Sequence, residues 1–434
     1  MIQSLLQNLN ISPNELQQAA IAAISKPQDV VLLSPTGSGK TLAFLLPLLA
    51  KLQHPGEGVQ ALIVVPTREL ALQIEEVIRS TQSGLKVTCC YGGHSAQVEE
   101  RSLSQSPELV VGTPGRISFH IREENLQAQA IQYLVLDEFD KSLELGFEDE
   151  MSFILSALSG LQQKVLTSAT SMTEFPAFLN LQQHEEISFL NQKNADAGLD
   201  TRIIRIPSKE KLDSLIFLLS QAPQEASMVF CNHREVVGRL ADMLAERGLW
   251  CGVYHGGLEQ KDREKVLIKF RNQSINILIT TDLASRGLDI PEISQVIHYQ
   301  IPHNQEAYVH RNGRTARMHA EGVSYLLLSD DEYAPAYTTD SSEETLDIQH
   351  LSALPMPAWV TFYIAAGKKD KINKVDIAGL FYKKANLQKD DLGRIDVQDF
   401  MSYVAVKRSI ARKVLASIAQ EKIKGRKYKI GIDE

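Results

Sequence analysis

Between Val30 and Thr170, short apolar runs alternate with helix-length segments. The runs are VVLL, ALIVVP, KVTCCYGG, ELVVGTP, YLVLDEF and KVLTSAT. Strands that are apolar at consecutive positions have two faces to bury, so the pattern demands a parallel sheet with helices on both sides. It stops in the polar stretch LNQKNADAGLD (Leu190–Asp200) and restarts with TRIIRIP, SMVFCN, CGVYHGG, INILITTD, QVIHYQIP and GVSYLLLS. The expected fold class is therefore α/β, with two doubly wound parallel-sheet domains in tandem at 1–190 and 201–336 and a linker at 191–200. A second linker, 337–356, is Ser/Thr-rich and acidic and then proline-punctuated. Residues 357–434 follow with strand WVTFYIAAG, helix KVDIAGLFYKKAN, strands GRIDVQDF and MSYVAVK, helix RSIARKVLASIAQ and strand RKYKIGI. That β-α-β-β-α-β order predicts a small α+β split sandwich.

Composition narrows the class. At 434 residues the chain exceeds one ordinary core, and 44% hydrophobic with 23% charged residues is the balance of a water-soluble globular protein. No apolar run approaches the ~20 residues needed to span a bilayer, and Pro47 interrupts the longest, Leu42–Ala50. The start lacks a basic flank and a small-residue cleavage site, which predicts a cytoplasmic protein. Cys89, Cys90, Cys231 and Cys251 have neither disulfide-framework nor zinc-ligand spacing and read as buried thiols in a reducing compartment. Net charge is −8 but unevenly spread: from Met356 onward 17 lysines and arginines face 9 acids, which leaves the first 355 residues at −16. A basic end on an acidic body suits a module for a polyanion, and equally a solvated basic face.

VVLLSPTGSGKT (Val30–Thr41) reads as strand, glycine-rich turn and helix start. Backbone N–H groups around Gly37 and Gly39 can curl around phosphate oxygens at the positive end of a helix. Ser34, Thr36 and Ser38 complete the loop, and Ser34 occupies the position of the usual first glycine. Lys40 would reach the β- and γ-phosphates, and Thr41 would ligate Mg²⁺. A phosphate loop needs an aspartate from a second strand on that ion. Asp137, at the end of YLVL, is the candidate, with Glu138 beside it to orient or deprotonate the attacking water. ATP and Mg²⁺ are the implied cofactors.

Further motifs, in order, make the chain resemble the DEAD-box RNA helicases over nearly all of residues 9–330. The resemblance implies that each α/β domain is RecA-like. Gln17 in SPNELQ resembles the adenine-reading glutamine. PTREL (Pro66–Leu70), Gly92-Gly93 and TPGR (Thr113–Arg116) resemble RNA-backbone contacts, which assigns Thr67, Arg68, Gly93, Thr113 and Arg116 to RNA. SAT (Ser168–Thr170) resembles the element that couples hydrolysis to domain closure, and Asp140 is expected to answer to Ser168 and Thr170. HGGLEQKDR, TTDLASRGLD and HRNGRTAR follow in family order. They imply that Thr281 contacts RNA, that Asp289 contacts the nucleotide, and that Arg314 and Arg317 are arginine fingers for the γ-phosphate. The chain departs from the pattern in lacking any aromatic residue before Phe44, in Ala316 for glycine, and in Phe139 within DEFD, where the family name has alanine. Strand-end alternation predicts that Phe139 packs inward beneath the site.

The tail, Gly367–Ile430, resembles the RNA-binding domain of the bacterial DbpA-type helicases, an RRM-like module. That implies RNA as partner, specifically 23S ribosomal RNA or a precursor of the large ribosomal subunit, hence ribosome biogenesis. Lys368, Lys369, Lys371, Arg394, Tyr403, Lys424, Arg426 and Lys427 are the candidate contacts. Tyr403 stands in DFMSYVAV, a partial match to the aromatic RNP1 pattern. Two functions remain open at this stage: an RNA helicase that hydrolyses ATP, and an ATP-gated RNA clamp with little unwinding.

Overall fold

The apolar runs form strands whose alternate residues feed separate cores. In this computed structural model, which describes all residues except 36, 54–57, 94, 173, 182, 191–198, 208–209, 285–289, 291–292, 316–321, 339–340, 347, 349–354 and 434, the chain divides into two units. The first is built on β1 (Asp29–Leu33), β2 (Ala61–Val64), β3 (Val87–Cys90), β4 (Leu109–Gly112), β5 (Tyr133–Leu136), β6 (Gln163–Ser168) and β7 (His184–Ser188). All pair in parallel, in the order β3-β4-β2-β5-β6-β1-β7. Val30 and Leu32 enter one hydrophobic core while Val31 and Leu33 enter another. This is the two-faced burial that continuous apolar runs demand, with each buried Val or Leu contributing about 1.5–3 kcal/mol.

Helices α1 (Ile2–Leu9), α2 (Glu15–Ile24), α3 (Lys40–Lys51), α4 (Arg68–Ser80), α5 (Ala96–Leu103), α6 (Pro114–Arg122), α7 (Phe139–Glu144) and α8 (Glu148–Ala157) belong to this sheet. Pro47 lies inside α3 and does not end it, contrary to the expected break. No helix among the described residues is long and apolar enough to cross a membrane. Because β1 is flanked by β6 and not by β2, the chain reverses direction across the sheet there. Open α/β sheets bind ligands beyond the carboxyl ends of strands at such a switch point.

The second unit repeats the plan with β8 (Leu199–Ile206), β9 (Ser227–Phe230), β10 (Gly252–Tyr254), β11 (Ile277–Thr280), β12 (Gln295–His298), β13 (Gly322–Ser329) and β14 (Ser342–Thr345), in the order β10-β11-β9-β12-β13-β8-β14. Its helices are α9 (Lys211–Gln221), α10 (Arg234–Glu246), α11 (Gln260–Arg271) and α12 (Gln305–Asn312). Strand β14 lies within the stretch expected to be linker and pairs in parallel with β8. Its polar sequence hid it, because an edge strand needs only one covered face. The two sheets are tandem RecA-like domains.

The C-terminal domain, also in the second unit, contains β15 (Trp359–Ile364), α13 (Lys374–Lys384), β16 (Leu392–Val397), β17 (Ser402–Lys407), α14 (Ala411–Ile418), the short hairpin β18 (Lys422–Ile423) and β19 (Arg426–Lys427), and β20 (Ile430–Asp433). The four-stranded antiparallel sheet has the order β16-β17-β15-β20. The single strand expected over RKYKIGI is divided between β19 and β20. One side of the sheet packs Phe362, Ile364, Val404 and Val406 under the helices, with Phe362 edge-on to Phe381 at 5.7 Å. Of the four cysteines expected to be buried, Cys90 and Cys231 are; Cys89 and Cys251 are half-buried. Burial raises the thiol pKa of all four, to about 12 for Cys231 and about 11 for Cys251.

Candidate active site

Strand β1 ends at Leu33, and the chain turns through Ser34–Gly39 into α3. Gly37 (φ 84°) and Gly39 (φ 91°) take left-handed conformations that suit glycine. A side chain at Gly39 would also lie 2.6 Å from the Gln17 amide nitrogen. Ser34, fully buried, hydrogen-bonds the Ser38 hydroxyl, so a small polar residue does the packing of the usual glycine. Lys40 donates to the carbonyl oxygens of Ser34 and Pro35, and Thr41 is half-buried in the first turn of α3. Thr36 lies outside the described residues.

Gln17 is buried and belongs to a capping box: its Oε1 accepts from the Asn14 N–H (3.0 Å), and its own N–H donates to Asn14 Oδ1 (2.9 Å). Its Nε2 donates to Gly39 O at 3.4 Å, while Asn14 Nδ2 donates to Ser38 O at 3.0 Å. Asn14 thus braces the loop, a role not assigned from sequence. Its signal is the N-cap spacing, Asn three residues before Gln.

Beyond β5, Asp137 is buried and accepts from the Thr167 hydroxyl and from the Glu138 N–H at 3.1 Å. Burial raises its pKa, opposed first by the Thr167 hydrogen bond and then by the charge of Lys40. Glu138 sits at φ 48°, a strained left-handed position for a non-glycine residue. Its N–H also donates to Thr167 at 3.2 Å, so the DEFD turn is fastened to β6. The turn starts α7 at once, so Phe139 is a helix residue and strand alternation does not apply to it. It does point inward: it is 1% exposed, in the core shared by Leu136 and Leu166, with its ring tilted against Phe178 at 6.4 Å. Asp140 accepts from Thr170 Oγ1 (3.2 Å) and the Ala169 N–H (3.3 Å). Ser168 bonds Thr170, donating to its carbonyl at 2.7 Å and accepting from its N–H at 3.1 Å. The link from Asp140 runs to Thr170 and on to Ser168.

The loops after β2, β3 and β4 open at the same sheet edge. Thr67 is the N-cap of α4, accepting from the Leu70 N–H at 3.2 Å. The Arg68 guanidinium stacks on Tyr91 at 4.6 Å and fills the space a side chain at Gly93 (φ 94°) would need. Thr113 heads α6, its N–H donating to Cys90 O at 3.0 Å. Arg116 Nε donates to Glu99 at 2.5 Å; Glu99 also bonds His120 at 2.6 Å and accepts from the Tyr91 N–H at 2.9 Å. Glu99 is 2% exposed. Burial works against its charge, but the bonds from His120, the Tyr91 N–H and Arg116 outweigh it and lower its pKa. Cys90, Glu99 and His120 are close enough to share an ion, but those donors already claim the carboxylate. Glu99 instead ties two loops together, and nothing in its local sequence marks it.

In the second unit Thr281 is half-buried after β11. Arg311, fully buried, pairs with Asp282 at 2.6 and 3.1 Å and donates to Asn232 Oδ1 at 2.8 Å. This brace inside HRNGRTAR was not assigned from sequence. Arg314, 2% exposed, lies on the turn after α12. Arg317, Ala316 and Asp289 lie outside the described residues. Lys368, Lys369, Lys371, Arg394, Lys424, Arg426 and Lys427 are exposed; Arg394 is paired with Asp396 at 3.0 Å and Lys424 with Asp376 at 2.7 Å. Tyr403, at 9% exposed, presents no open stacking face.

Residues 14–176 match the DEAD/DEAH box helicase family, 210–319 the helicase conserved C-terminal domain, and 361–432 the DbpA RNA binding domain. The ATP-dependent RNA helicase DbpA of Bacillus subtilis is 32% identical over 453 residues, covering 96% of this chain and 94% of that protein. The chain belongs to the DbpA-type DEAD-box RNA helicases. The Escherichia coli protein of the same name is also 32% identical, over 98% of this chain and 96% of its own length. Yeast Dbp5 bound to RNA and ADP–BeF₃ superposes with a TM-score of 0.70 at 25% identity, covering 80% of this chain and 94% of that one. As a DEAD-box helicase the chain is an ATP-dependent enzyme that acts on RNA and carries a dedicated RNA-binding domain. It is a member in which DEAD reads DEFD, with the phenylalanine absorbed by the core.

Proposed function

We propose that this helicase hydrolyses ATP to unwind or remodel 23S ribosomal RNA locally during large-subunit assembly in the cytoplasm, with its C-terminal domain directing it there. The observation that carries the reading is convergence on one sheet edge. The phosphate loop after β1, Asp137 and Glu138 after β5 and Ser168 at the end of β6 share that edge with Arg68, Gly93 and Arg116 after β2 to β4. Lys40 and the loop amides bind phosphates; Glu138 takes the proton of the attacking water; Asp140 and Thr170 carry the nucleotide's state to the SAT element. Arg314 and Arg317 are assigned the charge that develops on the γ-phosphate, on family pattern. Magnesium fits the donor set, since the Thr41 hydroxyl and the buried Asp137 carboxylate offer hard oxygen ligands beside Lys40. Bound there, the ion would neutralise phosphate charge. Backbone contacts at Arg68 and Arg116 carry no base information, so sequence preference falls to the C-terminal domain.

Steady-state ATPase titrated with purified 23S rRNA and, separately, with poly(A) tests this. Half-maximal activation at a lower nucleotide concentration of 23S rRNA is expected; equal potency of the two RNAs refutes the ribosomal assignment.

A further inference from the structure

His298 is a fully buried titratable side chain that the chemistry assigned above does not use. It ends β12, with its ring stacked 5.2 Å from Tyr308 of α12 and 6.3 Å from Phe230 of β9. Its Nε2 lies 2.8 Å from Asn312 Oδ1, and the Ser324 hydroxyl of β13 donates to the same oxygen at 2.7 Å. Asn312 and Ser324 are buried as well. A carbonyl oxygen has two lone pairs, and both are filled here. Since the Ser324 proton goes to Asn312, the second donor is the His298 Nε2–H, which selects one neutral tautomer of the ring. The 3.2 Å approach of Nε2 to the Ser324 oxygen is satisfied by the same proton. Burial, then the Arg311 charge, keeps the ring neutral by lowering its pKa to about 3. Its Nδ1 has no hydrogen-bond partner among the described residues. A buried polar ring satisfied at one nitrogen only needs a reason to be there.

What the network holds is the end of α12. Arg311 and Asn312 are its last two residues, and their carbonyls receive the chain that follows: Arg314 N–H donates to Arg311 O at 3.1 Å, and Thr315 N–H donates to Asn312 O at 3.0 Å. Both residues are fastened by their side chains, Arg311 to Asp282 and Asn232, Asn312 to His298 and Ser324. Thr315 is fastened too, its hydroxyl donating to Ile293 O across the bridge that joins those two residues. Arg314 thus departs from a backbone clamped on either side, and its own side chain is 2% exposed.

We propose that Asn312, held by His298 and Ser324, is a positioning residue that aims Arg314 at the charge developing on the γ-phosphate. The inference rests on the reading of Arg314 as that arginine. None of the three supplies charge; together they fix the helix end from which Arg314 starts. Aim matters once charge develops, so its loss lowers turnover and leaves substrate binding in place. A displacement of about 1 Å in a reacting group can cost about a hundredfold in rate.

Steady-state ATPase of the full chain at saturating 23S rRNA tests it, measured per folded molecule below the thermal transition. Asn312→Leu and His298→Leu should each lower kcat about tenfold or more, with KM for ATP and the half-activating RNA concentration within about twofold of wild type. His298→Gln, whose amide still offers an N–H at that reach, should recover most of the loss. Arg314→Ala should lower kcat further, and adding Asn312→Leu to it should change kcat less than about twofold, because the two act as one unit. If the leucine variants do not fold, Ser324→Ala, which removes one of the two donors, should lower kcat about threefold, and an unchanged kcat there overturns the proposal. If Arg314→Ala lowers kcat but Asn312→Leu does not, or lowers it equally in both backgrounds, the positioning role is wrong while the assignment of Arg314 stands. If Arg314→Ala leaves kcat unchanged, the assignment and this proposal both fail.

Discussion

Phe139 offers a separation of structure from chemistry, because it directly follows the two acids assigned to catalysis, Asp137 and Glu138, yet belongs to the core. Replacing it with alanine removes the phenyl ring of a residue that is 1% exposed and leaves Phe178 without its ring partner. Large-to-small changes of this kind cost about 3–5 kcal/mol, combining lost transfer energy with the cavity left behind. The short α7 can partly collapse onto the gap, which favours the lower part of that range, about 3–4 kcal/mol. For a unit near 200 residues, each kcal/mol lowers the midpoint by roughly 2–4 °C, so the first thermal transition should fall by about 10 °C. Asp137 is held by Thr167, and the Glu138 amide by Asp137 and Thr167, none of which depends on the Phe139 ring. RNA-stimulated turnover per folded molecule, measured well below the transition, should therefore stay within about twofold of wild type. Calorimetry and steady-state ATPase on the same preparation check both halves. A midpoint that does not move, or a turnover number changed more than about tenfold, refutes the separation.

Other outcomes follow from the same geometry. Glu138→Gln should retain ATP and RNA binding while lowering turnover about 10²-fold or more, measured by filter binding beside ATPase; an unchanged rate would mean the base is misassigned. Glu99→Gln should raise the poly(A) concentration for half-activation about tenfold, with KM for ATP unchanged, because Arg116 and the Tyr91 loop lose their shared anchor. His298 is fully buried between Tyr308 and Phe230 and bonded to Asn312, and burial followed by the Arg311 charge lowers its pKa to about 3. Its unfolded form binds a proton below about pH 6.5, so the stability it confers is full above that pH and is lost as pH falls toward 3. Urea unfolding at pH 7 and 5.5 should show a loss of about 1 kcal/mol from this group, absent in His298→Gln.

What the sequence disclosed depended on how local each cause is. Continuous apolar runs require a two-faced sheet, and the phosphate loop is a chemical pattern within a dozen residues, so both were legible in Val30–Thr41. Asp137 became interpretable once that loop supplied a reason for a buried acid. Glu99 did not, because its partners Tyr91, Arg116 and His120 come together only through the loops of the folded sheet. Tyr403 was a candidate RNA contact from a strand motif; the motif records the strand but not the burial that leaves its side chain 9% exposed. β14 escaped because its residues, SEET, have no apolar face, and its pairing with β8 is long-range. Phe139 was correctly expected to point inward, but the cause is the left-handed turn at Glu138 and not strand alternation.

The central claim is that the nucleotide site and the RNA loops on one sheet edge act as a single machine. Steady-state ATP turnover of the full chain with and without 23S rRNA measures this most directly. Low turnover without RNA and a saturable rise of at least tenfold on adding it are predicted; a rate that RNA does not change contradicts the account.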